Sequence, residues 1–206
     1  MAPCLVLGTG AHAAVLVEAL RAQGLWEPVG LVGPAPPGRE MGVAWLGDVE
    51  ILPRLRAEGI AAGFVAIGDN ATRQRQGDVL AGAGFALPVA VHPAAWVSPS
   101  ASLGDGAMVL VRAVVGTGSQ VGRLCIINSG AIVDHDNRIH EAAHIAPGCA
   151  LSGDVTVGAR TLVGVGSAVR PGITIGRDAV VGAGSAVVRD VADGARVGGA
   201  PARELR

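Results

Sequence analysis

Two rhythms of apolar residues divide the chain. Over roughly the first ninety residues, short apolar runs alternate with longer amphipathic stretches. Residues 3–10 (PCLVLGTG) predict a strand ending in glycines, and residues 11–24 (AHAAVLVEALRAQG) predict a helix closed by Gly24. Residues 27–33 (EPVGLVG) read as a second strand. Asp48 is placed to cap a helix running to Glu58, and residues 63–70 (GFVAIGDN) predict a third strand with Asp69 or Asn70 capping the next helix. Residues 85–91 (FALPVAV) suit a fourth strand. Strand alternating with helix implies a small parallel α/β sheet over residues 1–91.

From residue 97 the rhythm changes. Val, Ile or Leu recurs at every sixth position from Val97 to Val187, sixteen times without an insertion. The next residue is often Gly, as at 104, 116, 122, 158, 164, 176 and 182, and the fourth residue after the aliphatic is usually small. A period of six fits neither a helix nor an alternating strand. It fits a parallel β-helix in which each hexad forms one face and three faces close a coil. The aliphatic then points inward, small residues fit the corners, and the glycines are expected to supply turn dihedrals. With coils ~4.8 Å apart, about five coils make a prism ~25 Å long over residues 92–206. The segment 92–96 (HPAAW) marks the junction, and period alone leaves the handedness open.

Composition agrees. The 206 residues hold 32 Gly, three Trp, two Phe and no Tyr, so the interior is built from aliphatics and is narrow. The net charge of −1 points to neither nucleic acid nor an anionic membrane as partner. No apolar run approaches the ~18 residues of a membrane span, and the N-terminus lacks the basic region of a signal peptide. Three cysteines without CxxC spacing suit reduced thiols in the cytoplasm, and no metal site is expected.

Two places carry chemistry. Gly8-Thr9-Gly10-Ala11-His12-Ala13 is a GxGxxA turn between strand and helix, which can hold phosphate oxygens against helix N-terminal amides. A dinucleotide dehydrogenase would carry an acid after the second strand, where this chain reads Leu31-Val32-Gly33-Pro34, so an NAD site is disfavoured. A tight turn without a ligand is the alternative. The other place is Asp134-His135-Asp136. Its hexad is the most polar of the series and carries Asn137 where small or apolar residues stand elsewhere. A buried Asn must find partners, and a local break in a regular repeat is where function is expected. An exposed polar corner is the alternative. Cys125 and Cys149 fall on inward positions and make poor nucleophiles. His92 reads as structural, and His140 as a solvated corner.

The hexads resemble the left-handed β-helix of bacterial acyltransferases. The combination of GTGAHAAV, IGDN with Arg73, an HP junction and NSGAIVDHD resembles the bacterial sugar acetyltransferases. That family includes nucleotide-aminosugar N-acetyltransferases of the bacillosamine and perosamine type, with sialic acid O-acetyltransferase relatives. The resemblance implies a Rossmann-like domain holding a nucleotide-linked amino sugar, followed by a left-handed parallel β-helix. It implies acetyl-CoA as co-substrate and a homotrimer with active sites between subunits. It implies His135 as general base supported by Asp136, with Asp134 as second choice. His144 lies near the acetyl group, as a candidate oxyanion donor beside backbone N–H groups. Gly153, Val165 and Ala183 line the pantetheine path, and Arg203 in the tail approaches CoA phosphates. Gly8, Gly10, Ala11 and His12 form the phosphate turn, with Asn70 and Arg73 following the third strand. Relatives often carry acids where PAPPG stands at 34–38, so the base is left open. An O-acetyltransferase acting on sialic acid and a non-catalytic sugar-nucleotide-binding protein are the rival readings.

Overall fold

The computed structural model describes residues 1–205, and the chain divides into two compact units, the first Met1–Val91 and the second starting at His92. Among the described residues no helix is long and apolar enough to cross a membrane.

The first unit is a parallel sheet with helices. Its strands are β1 (Ala2–Leu7), β2 (Trp26–Val32), β3 (Trp45–Gly47) and β4 (Ala62–Val65), in the order β3-β2-β1-β4. The central strand β1 buries Cys4, Leu5, Val6 and Leu7. Helix α1 (Ala11–Gln23) packs Leu16, Val17 and Leu20 into the same core, each fully buried Leu contributing ~1.5–3 kcal/mol. Gly24 ends α1 in the left-handed region and returns its N–H to Leu20 O.

Asp48 caps a single 3-10 turn (Val49–Ile51) that passes into α2 (Leu52–Ala57), which ends at Glu58. Asp69, rather than Asn70, caps α3 (Asn70–Gly82) by accepting from Thr72 N at 2.8 Å. Two elements differ from expectation. Trp45–Gly47 is a strand, held beside β2 partly by Trp45 Nε1 donating to Gly33 O. Residues 85–91 do not form a full strand: Ala86 makes one bridge to Ala62, and only Ala90–Val91 is extended further on. Pro88, with no N–H to give a ladder, stands between them.

The second unit is a parallel β-helix. Each hexad folds as a two-residue strand and a turn, and strands one coil apart pair in register, as Gln120 with Arg138 and Ile126 with His144. The sixfold aliphatics from Val109 onward are buried, and so is the small position, through Ala113, Ser119, Cys125, Ala131 and Asn137.

The glycines correct one expectation. Those directly after the aliphatic do not supply the turn dihedral. They admit the next coil: a Cβ on Gly116 would come within 2.6 Å of the Asp134 carbonyl carbon. The left-handed residue comes two positions later and is often not glycine, as at Arg112, Leu124, Asp136 and Asp154.

Hydroxyls at the small position wire one coil to the next. Ser119 Oγ donates to Asp134 O and accepts from Asn137 N. Thr161 does the same with Gly176 O and Ala179 N, and Ser167 with Gly182 O and Ser185 N. Cys125 and Cys149 donate to His140 O and Gly164 O at 3.0 Å. Both thiols are buried, and burial raises the pKa of Cys149, so neither is an attacking thiolate.

Candidate active site

Residues 134–137 turn the corner between the strands Ile132–Val133 and Arg138–Ile139. Asp136 takes the left-handed conformation with φ 58°, which a short carboxylate side chain tolerates. From there its Oδ2 accepts a hydrogen bond from His135 Nδ1 at 2.9 Å. With the proton on Nδ1, the lone pair of the neutral ring is on Nε2. The imidazole is 56% exposed, and its pKa is raised, first by the bond to Asp136, then by the charges of Asp134, Asp136 itself and Asp154. The geometry therefore selects Asp136 over Asp134 as the hydrogen-bond partner. Gly153, one coil along, lies against the ring, and a Cβ there would overlap it.

Asn137 is fully buried behind this corner. Its Nδ2 donates to the carbonyls of Asp134 (2.8 Å), Ser152 (3.1 Å) and His135 (3.2 Å), and its Oδ1 accepts from Val155 N at 3.1 Å. His144 lies on the strand His144–Ile145, half-buried, with Nε2 3.0 Å from Asn128 Nδ2. Asn128 also receives Ser129 N on its Oδ1. Sequence reading passed over Asn128, although its place after Ile127 is one that glycine often fills in other hexads.

The remaining β-helix residues fall on two corners. His135 and Gly153 share one, and Val165 and Ala183, both exposed, share another. Between those corners runs one face of the prism, built from strands such as Trp96–Val97, Ile132–Val133 and Ala150–Leu151. Its outward residues are Trp96, Val114, Ile132, Ala150, Ala168 and Ala186, all apolar, with Trp96 52% and Ile132 45% exposed. A second face presents Ser102, Gln120, Arg138, Thr156 and Thr174 instead. Arg203 in the tail is exposed and donates to Ala202 O.

In the first unit, a pocket of about 390 Å³ opens at the C-terminal ends of β1 and β4. Gly8, Gly10, Ala11 and His12 line it, together with Pro34, Asp48, Gly68, Thr72 and Gln76. Gly8 has φ 132°, and a Cβ would press on Ala66 O, so only glycine fits. Gly10 faces open space and caps α1 without a side chain, and no acid stands in the first turn. The α1 amides are thus open to an anion. His12 Nε2 and Gln76 Oε1 are buried without a protein partner. Burial, then the charge of Arg73, lowers the His12 pKa to about 4, so the ring is neutral at pH 7. Asn70 and Arg73 do not line the pocket. Arg73 is fully buried and donates to Ile67 O, Gly68 O and Asn70 Oδ1, so the pair braces the turn that forms one pocket wall. Asp48, Thr72 and Gln76 carried no sequence signal as pocket residues, because helix capping and a polar helix face account for them equally well.

Residues 4–80 match the family model of the PglD N-terminal domain, and residues 154–189 match that of the hexapeptide repeat of succinyl-transferase. The chain is similar to a histidine mutant of perosamine N-acetyltransferase from Caulobacter crescentus, solved in complex with CoA and GDP-perosamine. The two share 44% identity with a TM-score of 0.96 over 100% of this chain and 98% of the other. It is also similar to the acetyltransferase domain of PglB from Neisseria gonorrhoeae in complex with acetyl coenzyme A, at 36% identity and TM-score 0.94 over 98% of each chain. WeeI from Acinetobacter baumannii, 20% identical with a TM-score of 0.85 over 100% of each chain, shares the fold. With 44% and 36% identity over nearly the whole chain, and family models matching in both units, the chain belongs to the hexapeptide-repeat family of bacterial sugar acetyltransferases.

Proposed function

We propose that this protein transfers the acetyl group of acetyl-CoA directly to the amino group of a nucleotide-linked amino sugar, with His135 as general base. The observation that carries this reading is the His135–Asp136 bond at 2.9 Å, which commits Nδ1 and leaves the Nε2 lone pair to meet a substrate proton.

The amine nitrogen attacks the thioester carbonyl carbon and gives its proton to His135 Nε2. Asp136 accepts from Nδ1 throughout and stabilises the imidazolium, as in the general serine-protease template. The tetrahedral oxyanion takes a hydrogen bond from His144 of a neighbouring copy in the proposed homotrimer, since within one copy His144 stands on a face that does not meet the corner of His135, or from backbone N–H groups. Its collapse breaks the C–S bond, and the imidazolium returns the proton to the departing CoA sulfur. No acyl-enzyme is needed, in keeping with the buried thiols of Cys125 and Cys149.

The pocket in the first unit takes the nucleotide-sugar. Its diphosphate rests on the α1 amides beside Gly8, Gly10 and Ala11, while His12 and Gln76 turn their unpartnered atoms to polar ligand groups. Asn70 and Arg73 act from behind, by holding the Ile67–Gly68 carbonyls in place. Acetyl-CoA lies between two copies, past Gly153 on a corner of one and past Val165 and Ala183 on the other corner of its neighbour. The apolar face between the two corners supports a homotrimer, in which a neighbouring copy covers Trp96 and Ile132 and closes the donor slot. Such an enzyme works in the cytoplasm, where acetyl-CoA and nucleotide-sugars are made.

Incubation of acetyl-CoA with GDP-, UDP- and dTDP-linked amino sugars, following free thiol and product mass, tests this reading. GDP-perosamine is the first acceptor to try, since the similar C. crescentus protein binds it. Thiol release with a mass gain of one acetyl group on a nucleotide amino sugar is expected. Acetylation of free sialic acid alone would replace the reading with O-acetyl transfer.

A further inference from the structure

Three hydroxyls of the β-helix share one wiring pattern, Ser185 instead reaches back to Gly182 O three residues earlier, and the coil behind the catalytic corner combines both. At Ser119, Thr161 and Ser167 a single hydroxyl donates to a carbonyl fifteen residues on and accepts the N–H eighteen residues on. Asn137 makes both bonds, to Ser152 O and from Val155 N. Its amide has a further N–H and greater reach, and these go back to Asp134 O and His135 O. A hydroxyl or thiol at 137 could meet the ordinary wiring but could not hold the carbonyl of His135 at the same time.

We propose that Asn137 is a positioning residue for acetyl transfer: by adding a side-chain donor to the carbonyls of Asp134 and His135, which also accept from Ser119 Oγ and Asp154 N, it fixes the corner that aims the imidazole. This rests on His135 being the base. The corner needs such a device because both of its working side chains face outward and are more than half exposed. Little packing restrains the imidazole besides Gly153 beneath it and the bond to Asp136. A shift of the backbone carries the ring with it, and misplacement on the order of 1 Å can cost a hundredfold in rate. Among the hexad positions equivalent to 137, the chain uses Ala, Ser and Cys repeatedly and Thr once, so an amide is not required to build a coil.

The test is Asn137→Ser and Asn137→Cys, two residues that the same β-helix already accommodates at that position. Both are assayed with acetyl-CoA and GDP-perosamine beside His135→Ala, with the thermal midpoint measured for each. The expected result is folded protein, kcat lower by on the order of tenfold to a hundredfold, and KM for both substrates within about twofold of wild type. The acidic limb of the kcat/KM profile should also move to lower pH. Loosening the corner weakens the Asp136 bond that, with the charges of Asp134 and Asp154, raises the His135 pKa. A purely structural amide would leave that limb in place. Wild-type kcat and an unmoved limb in either folded variant, with His135→Ala inactive, overturn the role of Asn137 alone. Full turnover by His135→Ala overturns this role together with the proposed base.

Discussion

The imidazole of His135 lies against Gly153, one coil further along the β-helix, in space that any Cβ at 153 would occupy. The glycine at this point is a condition for the histidine's orientation. Its backbone is not in the left-handed region, so a side chain is excluded by the ring and not by dihedral strain.

Gly153→Ala separates those two effects. The added methyl group should push the imidazole off its bond with Asp136 while the coil stays intact. The expected outcome is a thermal midpoint within a few degrees of wild type and kcat reduced by on the order of a hundredfold. Steady-state kinetics with circular-dichroism melting reads both. An equally active Gly153→Ala variant would place the working orientation of His135 elsewhere.

The pH dependence follows from the same bond. His135 acts as base only when neutral, and its pKa in the folded protein is raised above the ordinary 6.5, first by the bond to Asp136. Activity should therefore fall as pH drops through that raised value. Asp136→Asn removes the leading cause, and the limb should move to lower pH while the maximal rate also falls. The remaining charges of Asp134 and Asp154 keep part of the elevation. Profiles of kcat/KM over pH 5–9 for both proteins measure the shift.

Ile132 tests the assembly. It is 45% exposed on an all-apolar face beside the corner that carries His135. Ile132→Glu leaves the buried position Val133 untouched, so each coil should fold. A charge placed where a partner copy packs costs several kcal/mol when desolvated without a counter-charge. Sedimentation should show loss of the proposed trimer, with loss of activity in step. A trimer unchanged by the substitution would direct the interface to another face.

How much of this was legible in the sequence depended on repetition. The β-helix was readable because the inward aliphatic recurs from Val97 to Val187 without a break, so each hexad corroborates the others. His135 stood out for the same reason, as a local exception to a strong rule. The strand Trp45–Gly47 was not readable, since three residues give no alternation to detect. Pro88 splits what looked like a continuous strand at 85–91. The choice between Asp134 and Asp136 hangs on which of them occupies the left-handed corner. The pairing of Asn128 with His144 joins residues on successive coils, and the bracing by Arg73 depends on a loop that folds back over its guanidinium. These contacts exist only once the chain is coiled.

The most direct measurement is the turnover of His135→Ala on acetyl-CoA and the nucleotide amino sugar that the wild-type protein acetylates. With the base removed and the corner otherwise intact, kcat should fall by on the order of 10²–10⁴-fold while both substrates still bind and the thermal midpoint holds. Turnover within a few-fold of wild type would contradict acetyl transfer through His135.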